Sequence, residues 1–203
     1  MQQRNLEVAE EAARRAAQSG DAYDELSADG LRHLSKQDTR RAARAFREAI
    51  ALRPDEPAAY FNLGAALNNS GHYVEAAQRF LEAKERYQLG SEKWAGATAV
   101  AFEMLRLQAC AEVAKPEWWN DEELKALSAR VVRAAPDDVA PHRMRALVLS
   151  GQDAAWEAVP RSAAELKEAA THYERAAALC PAPAMKELLA GQADWCRSVA
   201  DAI

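Results

Sequence analysis

Residues 42–54 read AARAFREAIALRP, and residues 76–88 read AAQRFLEAKERYQ. Three residues of the first stretch return 34 positions later in the second: Ala42 as Ala76, Phe46 as Phe80, and Ala49 as Ala83. Two pairs further upstream keep the same offset: Leu26 with Tyr60, and Gly30 with Gly64. Several matches at one offset indicate an internal repeat, which is the first feature that decides the fold.

Each repeat has the spacing of two antiparallel helices joined by a turn. In the second copy the turn is NNSGH, residues 68–72. Glycine and alanine at the matched positions allow two helix axes to approach to about 8–10 Å. Phe80 and Ala83 are three residues apart, so they share a helix face that can pack on the next unit.

The composition favours helices and excludes several classes of protein. Alanine is abundant and long runs of Val, Ile or Thr are absent, which argues against strands. A net charge of −5 argues against a general nucleic-acid-binding role. The sequence has no apolar stretch long enough for a membrane span, and its charged N-terminus is unlike a signal peptide. Three cysteines without CxxC pairing fit the cytoplasm, or another reducing intracellular compartment.

The repeat resembles the tetratricopeptide repeat (TPR) family, most closely over residues 23–90. The second copy carries the family's signature residues: Tyr60, Leu63, Gly64, Leu67, Ala76, Phe80 and Ala83. The first copy matches less fully, because Asp29 stands where the family has an apolar residue. The resemblance implies an all-α fold, a right-handed superhelical array of antiparallel helix hairpins (a TPR-like solenoid) with about ten helices.

Two divergent repeats are expected over residues 91–181, each with an insertion between its two helices. The frame of the third repeat shifts by 14 residues before Pro136, and that of the fourth by 11 residues around SGQDAAWEAVPR, residues 150–161. We expect the 14-residue insertion to lengthen both helices of the third repeat by about two turns each, which gives a longer hairpin.

We therefore expect a single TPR-like domain over residues 1–203. Its segments are an N-terminal capping helix (3–20), repeat 1 (21–56), repeat 2 (57–90), extended repeat 3 (91–138), extended repeat 4 (139–181) and a C-terminal capping helix (182–203). A terminal helix must cover the apolar end of a solenoid. The apolar face of the last helix is predicted to contain Leu188, Leu189, Trp195 and Val199.

The sequence shows no pattern of residues that carries chemistry. None of the four histidines stands at a metal-ligand spacing within a cysteine or carboxylate cluster. The phosphate-binding and nucleophile motifs GxxxxGK[ST], GxGxxG and GxSxG are absent. We predict no catalytic residues, no bound metal and no cofactor, and therefore a protein that is not an enzyme.

In the TPR family the first helices of successive repeats line a concave groove that binds partners. Carried over by position, the resemblance implies that seven residues line this groove: Phe61, Asn62, Asn68, Asn69, Phe102, Arg106 and Arg143. Amide side chains can bond to an extended peptide backbone, and aromatic rings supply contact area.

One TPR subfamily grips the C-terminal carboxylate of heat-shock chaperones with a clamp of Lys, Asn and Arg. This chain matches that clamp only at Asn62. The positions where the clamp has basic residues hold Ser27, Glu92 and Gly96. We predict that the groove has no carboxylate clamp.

Residues 116–124 read PEWWNDEEL and place two tryptophans before a helix start. Asn120 is the predicted N-cap, which puts Trp119 and Leu124 at the two positions of a hydrophobic staple. This spacing gives Trp119 a structural role. Trp118 has no such role, and we predict that it contacts a partner.

Together these features predict a scaffold or adaptor for protein–protein interaction. It would bind a peptide or helix of a partner protein in its concave groove, without catalysis, and it would neither bind nucleic acid nor span a membrane. The alternative is a structural subunit that assembles into a homo-oligomer or a larger complex through its extended C-terminal hairpins.

Overall fold

The computed structural model describes residues 2–153 and 155–203, with side chains from Leu6 onward. Ten α-helices and one 3-10 helix (Gln108–Cys110) form the regular structure of these residues, and no strand occurs among them. The α-helices are α1 Gln2–Ser19, α2 Ala22–Ser35, α3 Thr39–Leu52, α4 Pro57–Asn69, α5 Tyr73–Arg86, α6 Glu92–Leu105, α7 Asp121–Ala134, α8 Val139–Ser150, α9 Ala163–Leu179 and α10 Pro183–Ala202. The predicted all-α class and number of helices are confirmed; the right-handed superhelical twist stays a prediction.

The described residues divide into two compact units between Tyr87 and Gln88. In the first unit, α1 to α5 pack in chain order, and α2 also contacts α4. In the second unit, α6 to α10 pack in chain order, and α6 also contacts α8. Each unit therefore has the order of neighbouring helices that a helical solenoid requires, while the proposed division into repeats stays a prediction.

The 34-residue repeat has a direct structural counterpart in the first unit. The Phe46 ring of α3 packs on Gly30 of α2 so closely that a Cβ added there would lie 2.6 Å from the ring. The Phe80 ring of α5 packs on Gly64 of α4 in the same way, at 2.9 Å. Both phenylalanines are fully buried or nearly so. The two hairpins thus share one packing solution, in which only glycine leaves room for the ring.

Side chains cap several helices at the starts that the sequence indicates. The Asp38 carboxylate accepts from the Arg41 amide at 3.1 Å, and the Ser91 hydroxyl accepts from the Trp94 amide at 3.1 Å. At the start of α9, Ser162 and Glu165 form a complete capping box. These short-range bonds satisfy amides that have no partner within their own helix.

The insertion in the third repeat does not lengthen the helices, and that prediction is wrong. Helices α6 and α7 have 14 residues each, the same length as α3 and α5. The extra residues form the connection 106–120, which contains the 3-10 helix. Leu107 has an extended backbone that ends α6, and Pro116 disfavours helix for the residue before it.

The apolar face predicted for the last helix needs correction. Leu189 is buried as expected, together with Ala193, Cys196 and Ala200 on the same side of α10. Leu188 and Trp195, by contrast, are 56% and 42% exposed. Small residues form the buried side because α9 and α10 pack closely, which leaves the larger apolar side chains facing outward.

Candidate binding surfaces

The four groove residues predicted in the second repeat all lie on α4 of the first unit. Phe61, Asn62 and Asn68 are partly exposed, and Asn69 is exposed. The opposite side of α4 is buried and carries Tyr60, Leu63, Gly64 and Leu67. The Phe61 ring is held edge-on against the Phe80 ring, at a centroid distance of 5.3 Å. Helix α4 therefore presents an aromatic edge and three amides on one side.

A cavity of about 560 Å³ lies between α1 and α2. Ser27 and Leu31 line it from α2. These two positions lie 34 residues before Phe61 and Ala65, so they occupy the same face of the preceding first helix. We call the cavity together with Phe61, Asn62, Asn68 and Asn69 the first-unit groove. The volume of the cavity falls within the range of about 300–1,000 Å³ that is usual for ligand sites.

Acidic side chains outnumber basic ones in the lining of this cavity. Glu7 and Glu11 of α1 and Asp24 of α2 line it, against one cation, Arg15. Glu11 is paired with Arg15 at 3.0 Å and also with the neighbouring Arg14 at 2.9 Å, so its own charge is neutralised. Glu7 and Asp24 make no ion pair within the described residues. The lining of the cavity also includes three apolar residues, Val8, Ala12 and Leu31.

Phe102 was predicted to line the groove, but its side chain is fully buried in the second unit. Its ring packs against Trp119 at a centroid distance of 5.5 Å and against Trp156 at 5.8 Å. Both tryptophans belong to the inserted connections, which fold back over this side of α6. This corrects the prediction for Phe102, since a ring that is covered in this way cannot reach a partner.

Arg106 and Arg143 belong to a network of ion pairs in the second unit. The Glu103 Oε2 atom accepts from Arg106 Nη1 at 2.8 Å and from Arg143 Nη2 at 3.1 Å. Arg106 also donates to Asp153 across the two connections. The Arg106 side chain is only 19% exposed, whereas that of Arg143 is 36% exposed. Arg106 therefore holds the unit together, and Arg143 keeps a solvent-accessible edge.

The two connections 106–120 and 151–162 bind each other, and together we call them the clasp. The Trp119 indole N–H donates to the Ala155 carbonyl at 2.9 Å, and the Trp119 and Trp156 rings meet at 6.1 Å. Lys115 fixes the first connection by donating to the carbonyls of Leu105 and Cys110, at 2.8 Å and 3.0 Å. Desolvation of the Lys115 ammonium group lowers its pKa. The clasp thus has its own aromatic core and its own polar ties.

A buried ion pair anchors the second connection of the clasp to α7. Arg161 Nη1 donates to Asp121 Oδ2 at 2.8 Å, and Arg161 Nη2 donates to the Val148 carbonyl at 2.8 Å. The Trp156 indole N–H reaches the same carboxylate at 3.2 Å. The Arg161 guanidinium bonds hold the pKa of Asp121 down, at about 2. The carboxylate is therefore charged at neutral pH and bonded on both oxygens.

Trp118, the predicted partner contact, lies on the outer side of the clasp. Its ring packs on Trp119 at a centroid distance of 5.6 Å, and its side chain is partly exposed. Asn120 caps α7 as predicted, since its amide oxygen accepts from the Glu123 amide at 3.0 Å. Trp119 is held inside the clasp by its contacts with Phe102 and Trp156, whereas its staple with Leu124 stays a prediction. The contact between Trp118 and a partner stays a prediction.

A pair of histidines joins α8 to α9 in the second unit. Their Nδ1 atoms are 2.9 Å apart, and His142 Nε2 lies 2.8 Å from the Pro136 carbonyl. A carbonyl only accepts, so His142 carries its proton on Nε2 and accepts from His172 through Nδ1. A proton on both Nδ1 atoms would break this bond. The other ring nitrogen of His172, Nε2, lies 3.7 Å from a Glu168 carboxylate oxygen.

We expect acid to weaken the second unit through this pair. Burial, reinforced by His142 and Arg145 and opposed by Glu168, lowers the pKa of His172 to about 4. In the unfolded chain the value is about 6.5, so below that pH the unfolded chain takes up a proton that the folded chain resists. Stability is then lost as the pH falls from about 6.5 towards 4. Between pH 7 and pH 5 the free energy of unfolding should fall by about 2 kcal/mol.

Denaturant titrations followed by tryptophan fluorescence measure this loss, because all five tryptophans lie in the second unit: Trp94, Trp118, Trp119, Trp156 and Trp195. His172→Asn keeps a donor for His142 and should remove most of the pH dependence above pH 5. His72→Asn, in the first unit, is the matched control and should leave it unchanged. Asp121 and Glu165, each with a pKa of about 2, lose their stabilisation only at lower pH. Equal slopes for wild type and His172→Asn would refute the assignment.

Comparison with known proteins finds one family similarity. The family model described as a TPR repeat matches residues 30–71, from the middle of α2 through α3 and α4. This stretch is similar to a tetratricopeptide repeat. It includes Phe61, Asn62, Asn68 and Asn69, and also the Gly30–Phe46 contact. No curated protein matched the chain.

TPR repeats are generally protein–protein interaction modules, and the family is typically a non-catalytic scaffold. The repeat found here therefore implies a protein partner in general. In the part of the chain that the structure describes, no helix combines the length and apolar character needed to cross a membrane.

Proposed function

We propose that the protein is an interaction module whose first-unit groove binds a peptide or a helix of a partner protein. The observation that supports this most directly is the cavity of about 560 Å³ on the same face as the partly exposed side of α4. The cavity is apolar at its floor, and amides and an aromatic edge lie beside it. Such a combination can take up an apolar side chain and bond to a peptide backbone.

The second unit offers less free surface on the corresponding helices. Ala99, Phe102 and Leu147, which occupy groove positions on α6 and α8, are buried. Arg143 and Trp118 remain partly accessible there. We therefore assign the main contact to the first unit, and we keep Arg143 and Trp118 as secondary contacts of the proposed module.

The double variant Phe61→Ala with Asn69→Ala tests the proposal. We expect partner capture to fall by at least about tenfold, because the aromatic contact and one amide are lost together. Quantitative affinity capture with mass spectrometry compares wild type and variant, and each captured protein is then measured with purified components. Circular dichroism checks that the variant keeps its helix content.

Arg44→Ala with Arg41→Ala is the matched control for this experiment. Both arginines lie on α3, are 83% and 73% exposed, and do not line the groove. Their replacement should leave capture unchanged. If the groove variant captures every partner as well as wild type does, with native circular dichroism, the proposed function is wrong.

The alternative proposal, self-assembly, has one observation in its favour. Leu188 and Trp195 are exposed and seven residues apart, which places them on the same side of α10. Light scattering over a range of concentrations tests it. A mass that rises with concentration and falls back in Leu188→Ser with Trp195→Ser would favour assembly over peptide binding.

A further inference from the structure

We propose that the first-unit groove selects a basic amphipathic segment, with an apolar side chain entering the α1–α2 cavity and Lys or Arg side chains pairing with Glu7 and Asp24. This rests on the proposed function, and it adds the chemical class of the partner. The inference comes from the charges around the cavity, which the repeat pattern alone does not show.

The cavity has acceptors on both of its walls. Glu7 stands on α1 and Asp24 on α2, and both line the same space. Neither carboxylate makes an ion pair within the described residues. Among the described residues of the lining the one cation is Arg15, which is already paired with Glu11 at 3.0 Å, and the neighbouring Arg14 pairs with the same carboxylate at 2.9 Å. The cavity therefore carries unneutralised negative charge that a cationic side chain would complement.

The apolar surface between these walls explains why the segment should be amphipathic. Val8 is 49% exposed, and Leu31 is partly buried beside it. Helix α1 packs on α2 with small residues, Ala9 and Ala16, which are 4% and 5% exposed. From α1, the lining of the cavity beside Leu31 includes Val8 and Ala12 as its apolar residues. A partner that places an apolar side chain there removes this surface from water.

The same charges disfavour acidic ligands. A carboxylate entering the cavity would meet Glu7 and Asp24, and the one cation among the described lining residues, Arg15, is already paired with Glu11. Asn62 lies on the neighbouring first helix and is neutral. Acidic C-terminal peptides of the kind held by a carboxylate clamp should therefore bind poorly, and basic peptides should be preferred.

Selection from a random peptide library on the full chain tests the inference directly. We expect the selected peptides to be enriched in Lys and Arg and to carry apolar residues at helical spacing. Synthetic versions should bind the double variant Glu7→Lys with Asp24→Lys about tenfold more weakly than wild type. Their affinity should also fall when the salt concentration rises from about 0.05 M to about 0.5 M, because exposed charges are screened.

A charge reversal of the same size outside the cavity is the matched control. Glu10→Lys with Glu25→Lys changes two exposed residues on the same two helices, and neither residue lines the cavity. This control should keep wild-type affinity for the selected peptides, and circular dichroism should show native helix content for both variants. A tenfold loss in the control as well would overturn the inference, because it would show a general effect of charge.

The remaining outcomes separate this inference from the proposed function. Suppose that the selected peptides are acidic or neutral, and that they bind the Phe61→Ala with Asn69→Ala variant more weakly than wild type. This result would overturn the basic class of partner but support binding in the groove. Basic peptides that bind the Glu7→Lys with Asp24→Lys variant as tightly as wild type would also overturn the basic class. Failure to select any peptide that depends on the groove would overturn both proposals.

Discussion

Replacing Arg161 with alanine is expected to lower the free energy of unfolding of the second unit by about 3–5 kcal/mol. The Arg161 side chain is 5% exposed, and that of its partner Asp121 is 12% exposed. Removal of the guanidinium leaves the Asp121 carboxylate charged and largely out of water, with only Lys125 Nζ at 3.3 Å and the Trp156 indole N–H at 3.2 Å as partners among the described residues. It also leaves the Val148 carbonyl without its arginine donor. Breaking one side of a buried pair is far more costly than the net contribution of the pair itself.

Denaturant unfolding followed by tryptophan fluorescence measures this loss. Arg175→Ala is the matched control, since Arg175 and Asp137 form an ion pair at 2.9 Å with side chains 49% and 83% exposed. The control should change the free energy of unfolding by less than about 0.5 kcal/mol. The double variant Asp121→Ala with Arg161→Ala should lose less than the sum of the two single losses. A loss below about 1 kcal/mol for Arg161→Ala would show that the clasp is not anchored by this pair.

Phe102→Ala is expected to destabilise the second unit by about 3–5 kcal/mol. The Phe102 ring is fully buried between α6 and the clasp, where it touches Trp119 and Trp156. Truncation removes the buried area and leaves a cavity under both indoles. The same unfolding measurement detects the loss, and indole signals in NMR spectra should shift for the two tryptophans.

Phe102→Leu is the matched control, because leucine keeps most of the volume and should cost less than about 1.5 kcal/mol. The comparison of the two variants also distinguishes a structural role of Phe102 in the core from a role in binding a partner. A residue that lined a groove would lose partner affinity on truncation while the protein kept its stability. If Phe102→Ala leaves the unfolding transition in place, the burial described for Phe102 is wrong.

Much of the first unit could be predicted from the sequence, because its signals are local and repeated. The Gly30–Phe46 and Gly64–Phe80 contacts each join two helices of one hairpin, so their spacing already appears in the sequence. The N-caps Asp38, Ser91 and Asn120 act on amides three residues further along. Such interactions need no partner from elsewhere in the chain, which is why residue type and spacing were sufficient.

The exposure of the predicted groove residues differs along the chain for a physical reason. Position in the repeat places Phe61, Asn68 and Asn69 on a free side of α4, where no insertion covers the helix. The same rule fails for Phe102, because the clasp covers that side of α6. The α1–α2 cavity was missed altogether. Its lining comes from both α1 and α2, and the sequence did not show which residues of these two helices face each other.

The repeat, the helices and several helix starts follow from the sequence, since each depends on residues within one hairpin. How the two insertions are used depends instead on the tertiary structure. Arg106 and Asp153, which bond to each other, are 47 residues apart in the sequence, and His142 and His172 are 30 residues apart. Bonds between such distant residues gain their strength from burial, which exists only once the connections and helices have met. For the same reason, the charges around the α1–α2 cavity acquire a role only when the two helices bring them together.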